Sequence, residues 1–232
     1  MPDGARDMPV TFAWRPDPEY RYLVCALNGA GKSVLLASLA RAFSTADNLV
    51  CVLDPKADRS MRVLQPMASR TVRMRGGGIQ RFVVPPFDLD QSGMTDEICD
   101  AAFRRGNVTL VVDELQMVAT DRRYPPALYR CYAQGRARKV SILAASTEPV
   151  RIPVWARGQC RAYFAGAIGE GRQRDYMADL LCQERQAFAA AMRALPRYHF
   201  LYWEQSWASA RRPPEEIWVR PPRAGGRGKK RA

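Results

Sequence analysis

The sequence predicts an α/β domain with a mainly parallel central sheet flanked by helices. Three observations carry this: strand-length apolar runs alternate with helical patterns, a glycine-rich turn joins the first run to an amphipathic helix, and a later run ends in two carboxylates. The runs cover 22–26, 49–53, 108–112, 140–145 and 162–167. The run 108–112 is apolar almost throughout, as burial on both faces of a sheet requires.

The first helix is expected over 32–43, where Val34, Leu35, Leu36, Leu39 and Phe43 recur at helical spacing. A second covers about 96–105: two acidic residues open it and Gly106 supplies a stop. A third runs over about 173–195, with Met177, Leu180, Leu181, Phe188 and Met192 toward the core and Pro196 after it. The closing runs 199–203 and 216–219 read as edge strands. Residues 20–219 form one domain, preceded by an extended Pro- and Asp-rich arm over 1–19. The segment 220–232, with six basic residues and no acid, is expected to be a disordered tail.

The chain has 232 residues, enough for one generous domain, and 47% hydrophobic with 25% charged residues argues against a mostly disordered protein. No stretch approaches the roughly 20 apolar residues that span a bilayer, and the first residues lack the pattern of a secretory signal. A cytoplasmic location is expected. Six scattered cysteines without a CxxC pair, and the single His199, argue against a zinc framework and read as reduced, mostly buried thiols. Thirty-six basic against 23 acidic residues give a net charge of +13 and point to a polyanionic partner, nucleic acid first.

Residues 26–33, Ala-Leu-Asn-Gly-Ala-Gly-Lys-Ser, fit the Walker A pattern GxxxxGK[ST] except that Ala26 replaces the first glycine. In such a loop successive backbone N–H groups wrap a β-phosphate at a helix N-terminus, where unpaired donors and the helix dipole favour negative charge. The expected cradle is Leu27, Asn28, Gly29, Ala30, Gly31, Lys32, Ser33 and Val34, with ATP as the nucleotide. Gly29 and Gly31 permit the backbone twist, Lys32 bridges the β- and γ-phosphates, and the Ser33 hydroxyl ligates Mg²⁺. The competing reading is a strand–turn–helix with a chance glycine-rich turn.

The run 108–112 ends in Asp113 and Glu114, a Walker B arrangement. Asp113 can hold Mg²⁺ through water, and Glu114 is placed to polarise the attacking water as general base. An exposed Asp-Glu turn is the competing reading. Another acidic strand end, Leu53-Asp54-Pro55-Lys56, follows the first helix and is expected beside the catalytic edge, either in a functional role or as an Asp-Pro turn.

Those segments, with Gln134-Gly135-Arg136 leading into the strand that ends Ser146-Thr147-Glu148-Pro149, make residues 20–220 resemble the HerA/FtsK superfamily of DNA-pumping ATPases. In that family a Gly-Arg element precedes a strand ending Thr-Gln-Arg-Pro; here Ser146 and Thr147 stand at the Thr-Gln positions and Glu148 at the Arg position. The resemblance implies a RecA-like (ASCE) P-loop NTPase core working as a homo-oligomeric ring, pentamer or hexamer. It implies a γ-phosphate sensor at this strand end, Thr147 first and Ser146 second, with a strand-terminating hydroxyl as the bland alternative. It also implies an arginine reaching into the neighbour's site: Arg136 matches best, with Arg138 and Arg157 as alternatives.

Residues 59–87 hold six arginines and no acid, and Arg73 and Arg75 beside Gly76-Gly77-Gly78 could grip DNA backbone phosphates; a solvated basic loop or a subunit interface is the competing reading. The compact length between the two Walker segments resembles the minimal packaging ATPases of membrane-containing icosahedral viruses. That implies an ATP-driven motor moving double-stranded DNA into a preformed capsid, docked on a capsid or membrane-protein partner. The alternatives are a plasmid- or chromosome-borne translocase in transfer or repair, a Zot-like phage assembly protein, a nucleotide-regulated DNA-binding scaffold without turnover, and a small-molecule kinase.

Overall fold

The structure, a computed structural model, describes residues 17, 19–57, 61, 74, 77–86, 90, 93–205 and 214–219. Most of the expected arm, the tail 220–232, and Arg73 and Arg75 lie outside the described residues.

Eight strands form one sheet: β1 (Arg21–Cys25), β2 (Leu49–Leu53), β3 (Gly78–Phe82), β4 (Val108–Val112), β5 (Val140–Ser146), β6 (Ala162–Ala165), β7 (His199–Glu204) and β8 (Glu215–Trp218). Their order is β3-β2-β4-β5-β1-β6-β7-β8. The six strands from β3 to β6 are parallel, and β7 and β8 add antiparallel. β5 thus lies between β1 and β4, with Leu23 opposite Ala144 and Val112 opposite the same residue. Parallel pairing brings the C-terminal ends of β1, β2, β4 and β5 to one edge, where ligands of open α/β sheets bind.

Seven α-helices are described: α1 (Lys32–Phe43), α2 (Met94–Arg105), α3 (Leu115–Val118), α4 (Pro126–Gln134), α5 (Val154–Arg157), α6 (Gly171–Leu180) and α7 (Arg185–Ala194). Side chains along each strand alternate between two cores. Leu49, Cys51 and Leu53 of β2 face a layer holding Ile98, Leu128, Tyr132, Met177, Phe188 and Met192 from α2, α4, α6 and α7. Val50 and Val52 face the opposite layer, where Leu35, Leu36, Leu39 and Phe43 of α1 pack. Every residue of β1, β2 and β4 is buried, which explains why, apart from Arg21 and Thr109, they are apolar throughout.

Three details depart from the sequence expectation. α2 begins two residues early because the Asp90 carboxylate accepts from the backbone N–H of Met94 (3.1 Å) and Thr95 (3.0 Å). Gly106 ends it as expected, at φ 68°, and a Cβ there would lie 2.8 Å from the Arg138 carbonyl oxygen. The helix expected over 173–195 is two helices: Cys182 takes φ 53°, and Glu184 starts α7 by accepting from Gln186 N (2.8 Å) and Ala187 N (2.6 Å). A local carboxylate cap here outcompetes helix continuation. Finally, β8 is an edge strand but β7 lies between β6 and β8. The opposite edge is β3, inside the segment read as a basic loop, and its Arg81 is buried.

Candidate active site

The turn between β1 and α1 has the shape a phosphate cradle needs. Gly29 and Gly31 take φ 80° and 109°, a left-handed conformation that costs glycine little. Ala26, where the motif has glycine, does not need that freedom: it is buried and extends the strand, its N–H reaching the Ser146 carbonyl at 3.3 Å. Gly31 is the N-cap of α1, with no side-chain cap and no acid in the first turn. The first-turn amides and the positive end of the helix dipole therefore stand available to an anion.

Lys32 and Ser33 open α1 and face the acidic end of β4. Ser33 Oγ donates to Asp113 Oδ2 at 3.3 Å. Lys32 is buried; its Nζ donates to the Leu27 carbonyl (3.1 Å) and lies 3.7 Å from Glu114 Oε1. Burial pushes the lysine's pKa down, opposed by the charges of Glu114 and Asp113. Asp113 and Glu114 are themselves buried, 1% and 2% exposed, so they are not an exposed turn. Glu114 holds φ 63°, an unusual conformation for this side chain that aims its carboxylate back at the loop.

Glu114 is the hub of the site. Its Oε2 accepts from Thr147 N (3.0 Å), from Thr147 Oγ1 (3.1 Å) and from the Gln116 amide, which also donates to Thr147 Oγ1 at 3.0 Å. Its Oε1 accepts from Lys56 Nζ at 2.6 Å. Burial works against ionisation of Glu114, but the Lys56 hydrogen bond, the Lys32 charge and the Gln116 hydrogen bond outweigh it and hold the carboxyl below its ordinary pKa.

Thr147 thus sits at the expected strand end in direct contact with Glu114. Ser146 is buried, and its Oγ accepts from Glu148 N at 3.0 Å, a turn-capping role. Asp54 lies beside the edge as expected, but fully buried and ion-paired to Arg81 (2.5 Å), so the side chain serves the fold. Lys56, two residues on, is the one that enters the site. Sequence reading expected this strand end beside the catalytic edge but gave Lys56 itself no role, and it missed Gln116, Arg197 and Tyr198. A cavity of about 170 Å³ lies between the loop, Lys56, Glu114 and the Arg197–Tyr198 pair. Arg197 Nε donates to Gly29 O (2.8 Å) and Tyr198 N to Ala30 O (3.0 Å), pinning two loop carbonyls. Nothing in the composition of 196–198 marks that contact; it depends on β7 packing near β1.

Arg136 lies in a 3-10 turn (Gly135–Arg138) before β5, at the opposite end of the sheet from the loop. Within one chain it cannot reach this site. It pairs with Glu19 at 2.9 Å on the surface. The alternatives are more engaged: Arg138 caps the end of α2 through the carbonyls of Phe103 (3.3 Å) and Arg104 (2.5 Å), and Arg157 bonds the Tyr176 hydroxyl and lies over its ring.

The residues present fit a magnesium-bound triphosphate. Among the described residues no cluster of three or more His, Cys, Asp or Glu side chains could hold a metal alone. A hard cation held by one hydroxyl, one carboxylate, water and phosphate oxygens suits the Ser33–Asp113 pair.

No protein-family model matches the sequence, and no curated protein matches it. Solved structures do match the fold. The genome packaging NTPase B204 from Sulfolobus turreted icosahedral virus 2, in complex with AMPPCP, aligns with a TM-score of 0.65 at 13% identity over 86% of this chain and 97% of that one. VirB4 of Thermoanaerobacter pseudethanolicus aligns at 0.62 and 13% identity, over 88% and 90%. The cytoplasmic domain of the Thermomonospora curvata type VII secretion ATPase EccC aligns at 0.62 and 14% identity, over 86% of this chain and 25% of that one. The chain has the fold of these P-loop ATPases.

Proposed function

We propose that this chain is an ATP-driven translocase of double-stranded DNA, of the HerA/FtsK type. The observation that carries the reading is that Lys32, Ser33 and Glu114 line one cavity at the C-terminal edge of the sheet, with Asp113 bonded to Ser33 and Thr147 to Glu114, so that three separate segments converge there. A regulatory scaffold or a chance glycine turn would not need all five together.

The loop amides from Leu27 to Val34 and the Lys32 ammonium hold the triphosphate, and Ser33 and Asp113 hold Mg²⁺, which when bound neutralises charge on the β- and γ-phosphates. Glu114 orients a water and accepts its proton; Thr147 reports on the γ-phosphate through that carboxylate. Arg136 serves a neighbour's site in a homo-oligomeric ring, pentamer or hexamer. Its position away from its own chain's loop supports this, because a head-to-tail ring joins two different surfaces and a residue that cannot reach its own site can face the next subunit's. The net charge of +13 supports a nucleic-acid partner, and Arg73 and Arg75 are proposed phosphate contacts.

The more specific reading is a viral genome-packaging motor, acting in the host cytoplasm and docking on a capsid or membrane protein. The match over nearly the whole length of a packaging NTPase supports it. No helix among the described residues is long and apolar enough to cross a membrane. A plasmid- or chromosome-borne translocase is the second reading, supported by the weaker alignment with the conjugation coupling protein TcpA of pCW3, TM-score 0.53 over 87% of this chain and 60% of that one.

The test is ATP turnover with and without duplex DNA. Turnover raised by DNA supports the motor. Binding without turnover supports a scaffold, and turnover only on adding an acceptor metabolite supports a kinase.

A further inference from the structure

A carboxylate offers about four lone-pair sites. Glu114 has four donors on it: Lys56 on Oε1, and Gln116, Thr147 N and Thr147 Oγ1 on Oε2. Oε2 is filled by its three donors, and Oε1, the oxygen left for a water, is held by the Lys56 ammonium with Lys32 Nζ 3.7 Å away, so the group placed to act as base is neutralised. One donor differs from the rest. Gln116 and Thr147 lie close by on the segments that follow β4 and β5, whereas Lys56 reaches in from the end of β2 and is 32% exposed against 2% for Glu114.

The root of Lys56 is fixed and its tip is not. Its backbone N–H donates to Asp54 Oδ1 (3.2 Å), and Asp54 is locked by Arg81. From this anchored turn a flexible four-carbon stem carries a point charge into the cavity that also meets Gly29, Lys32 and Ser33. A triphosphate entering there brings several negative charges against one on Glu114 and competes for the same ammonium.

We infer that Lys56 is a γ-phosphate-responsive counter-ion: it neutralises Glu114 while the site lacks a triphosphate, and transfers to the terminal phosphate when one binds, freeing Oε1 for the attacking water. After hydrolysis the diphosphate no longer holds the ammonium, and Lys56 returns to Glu114. Lys56 is a positioning residue that makes the base available only when there is a bond to cleave. The inference rests on the nucleotide reading of the site.

The test is equilibrium binding of AMPPCP and ADP, each with Mg²⁺, to wild type, Lys56→Met, Lys56→Arg, Glu114→Gln and the Lys56→Met/Glu114→Gln double variant, with folding checked by circular dichroism. Losing one charge-assisted contact should weaken AMPPCP about tenfold in Lys56→Met while ADP changes less than about twofold. Lys56→Arg, which keeps the charge, should recover most of the AMPPCP preference. Glu114→Gln, lacking the competing carboxylate, should bind AMPPCP more tightly, and this gain should vanish when Lys56 is also replaced. Equal weakening of ADP and AMPPCP in Lys56→Met, or a Glu114→Gln gain that persists without Lys56, overturns the inference while leaving nucleotide binding intact. Wild-type protein that binds neither ligand refutes the nucleotide reading itself.

Discussion

Replacing Arg81 with methionine tests how the turn carrying Lys56 is held. The guanidinium meets Asp54 Oδ2 through Nε at 2.9 Å and Nη2 at 2.5 Å, with the two residues 3% and 0% exposed. Around the pair, Asp54 N donates to Phe82 O (2.9 Å) and Val84 N to Asp54 O (3.3 Å), tying the ends of β2 and β3. Removing one partner of a buried ion pair leaves an uncompensated charge and costs about 3–5 kcal/mol. Set against a total stability of about 5–15 kcal/mol, that is a large fraction. At roughly 2–4 °C per kcal/mol for a chain of this size, the midpoint falls by about 6–20 °C. Replacing both partners, Asp54→Leu with Arg81→Met, removes the stranded charge and should recover most of the loss, less about 1 kcal/mol for the bond from Lys56 N to Asp54 Oδ1. Urea unfolding followed by circular dichroism measures both. A single-variant cost below about 1 kcal/mol, or a double variant no more stable than the single, would refute the reasoning.

Other outcomes follow from the same geometry. Lys32→Ala should lose nucleotide binding, and Glu114→Gln should bind ATP while its turnover drops about 100-fold or more, measured by phosphate release; full activity in both would contradict the site. Arg136→Ala subunits mixed with Lys32→Ala subunits should recover turnover if the arginine acts on a neighbour; no recovery at any ratio counts against action between subunits. Five cysteines are buried, with burial pushing Cys51, Cys131 and Cys160 up to about 12, and only Cys182 is exposed. A thiol reagent should therefore modify one cysteine in the native protein and six after denaturation. Backbone hydrogen bonds from Gln186 and Ala187 hold Glu184 below its ordinary pKa. A carboxyl lowered by folding stabilises above its unfolded value and ceases to do so as pH falls through the folded one. The gap in melting midpoint between wild type and Glu184→Ala should accordingly be constant at neutral pH and close in acid; a gap independent of pH would contradict the cap.

The parts legible in the sequence are those set by local rules. The loop at 26–33, the strand 108–112 with its two carboxylates, and the stop at Gly106 each follow from residues adjacent in the chain, and the structure places them as read. What escaped depends on distant partners. Arg81 read as part of a basic loop because Asp54, which buries it, lies 27 residues away. The strand end carrying Lys56 was expected beside the catalytic edge, but its choice between a functional role and an Asp-Pro turn stayed open because only the pairing of β2 with β4 shows that Lys56 reaches Glu114. The break between α6 and α7 was hidden by Leu180, Leu181 and Phe188, whose spacing continues across a turn made by Cys182 and Glu184.

The central claim is that a triphosphate is cradled by the 26–33 loop and attacked by a water held on Glu114. A crystal structure with AMPPCP and Mg²⁺ tests it most directly. The account predicts the β-phosphate within hydrogen-bond reach of the loop amides, the cation between Ser33 and Asp113, and the γ-phosphate beside Lys32 and Lys56. Nucleotide bound elsewhere, or a cation away from Ser33 and Asp113, would contradict it.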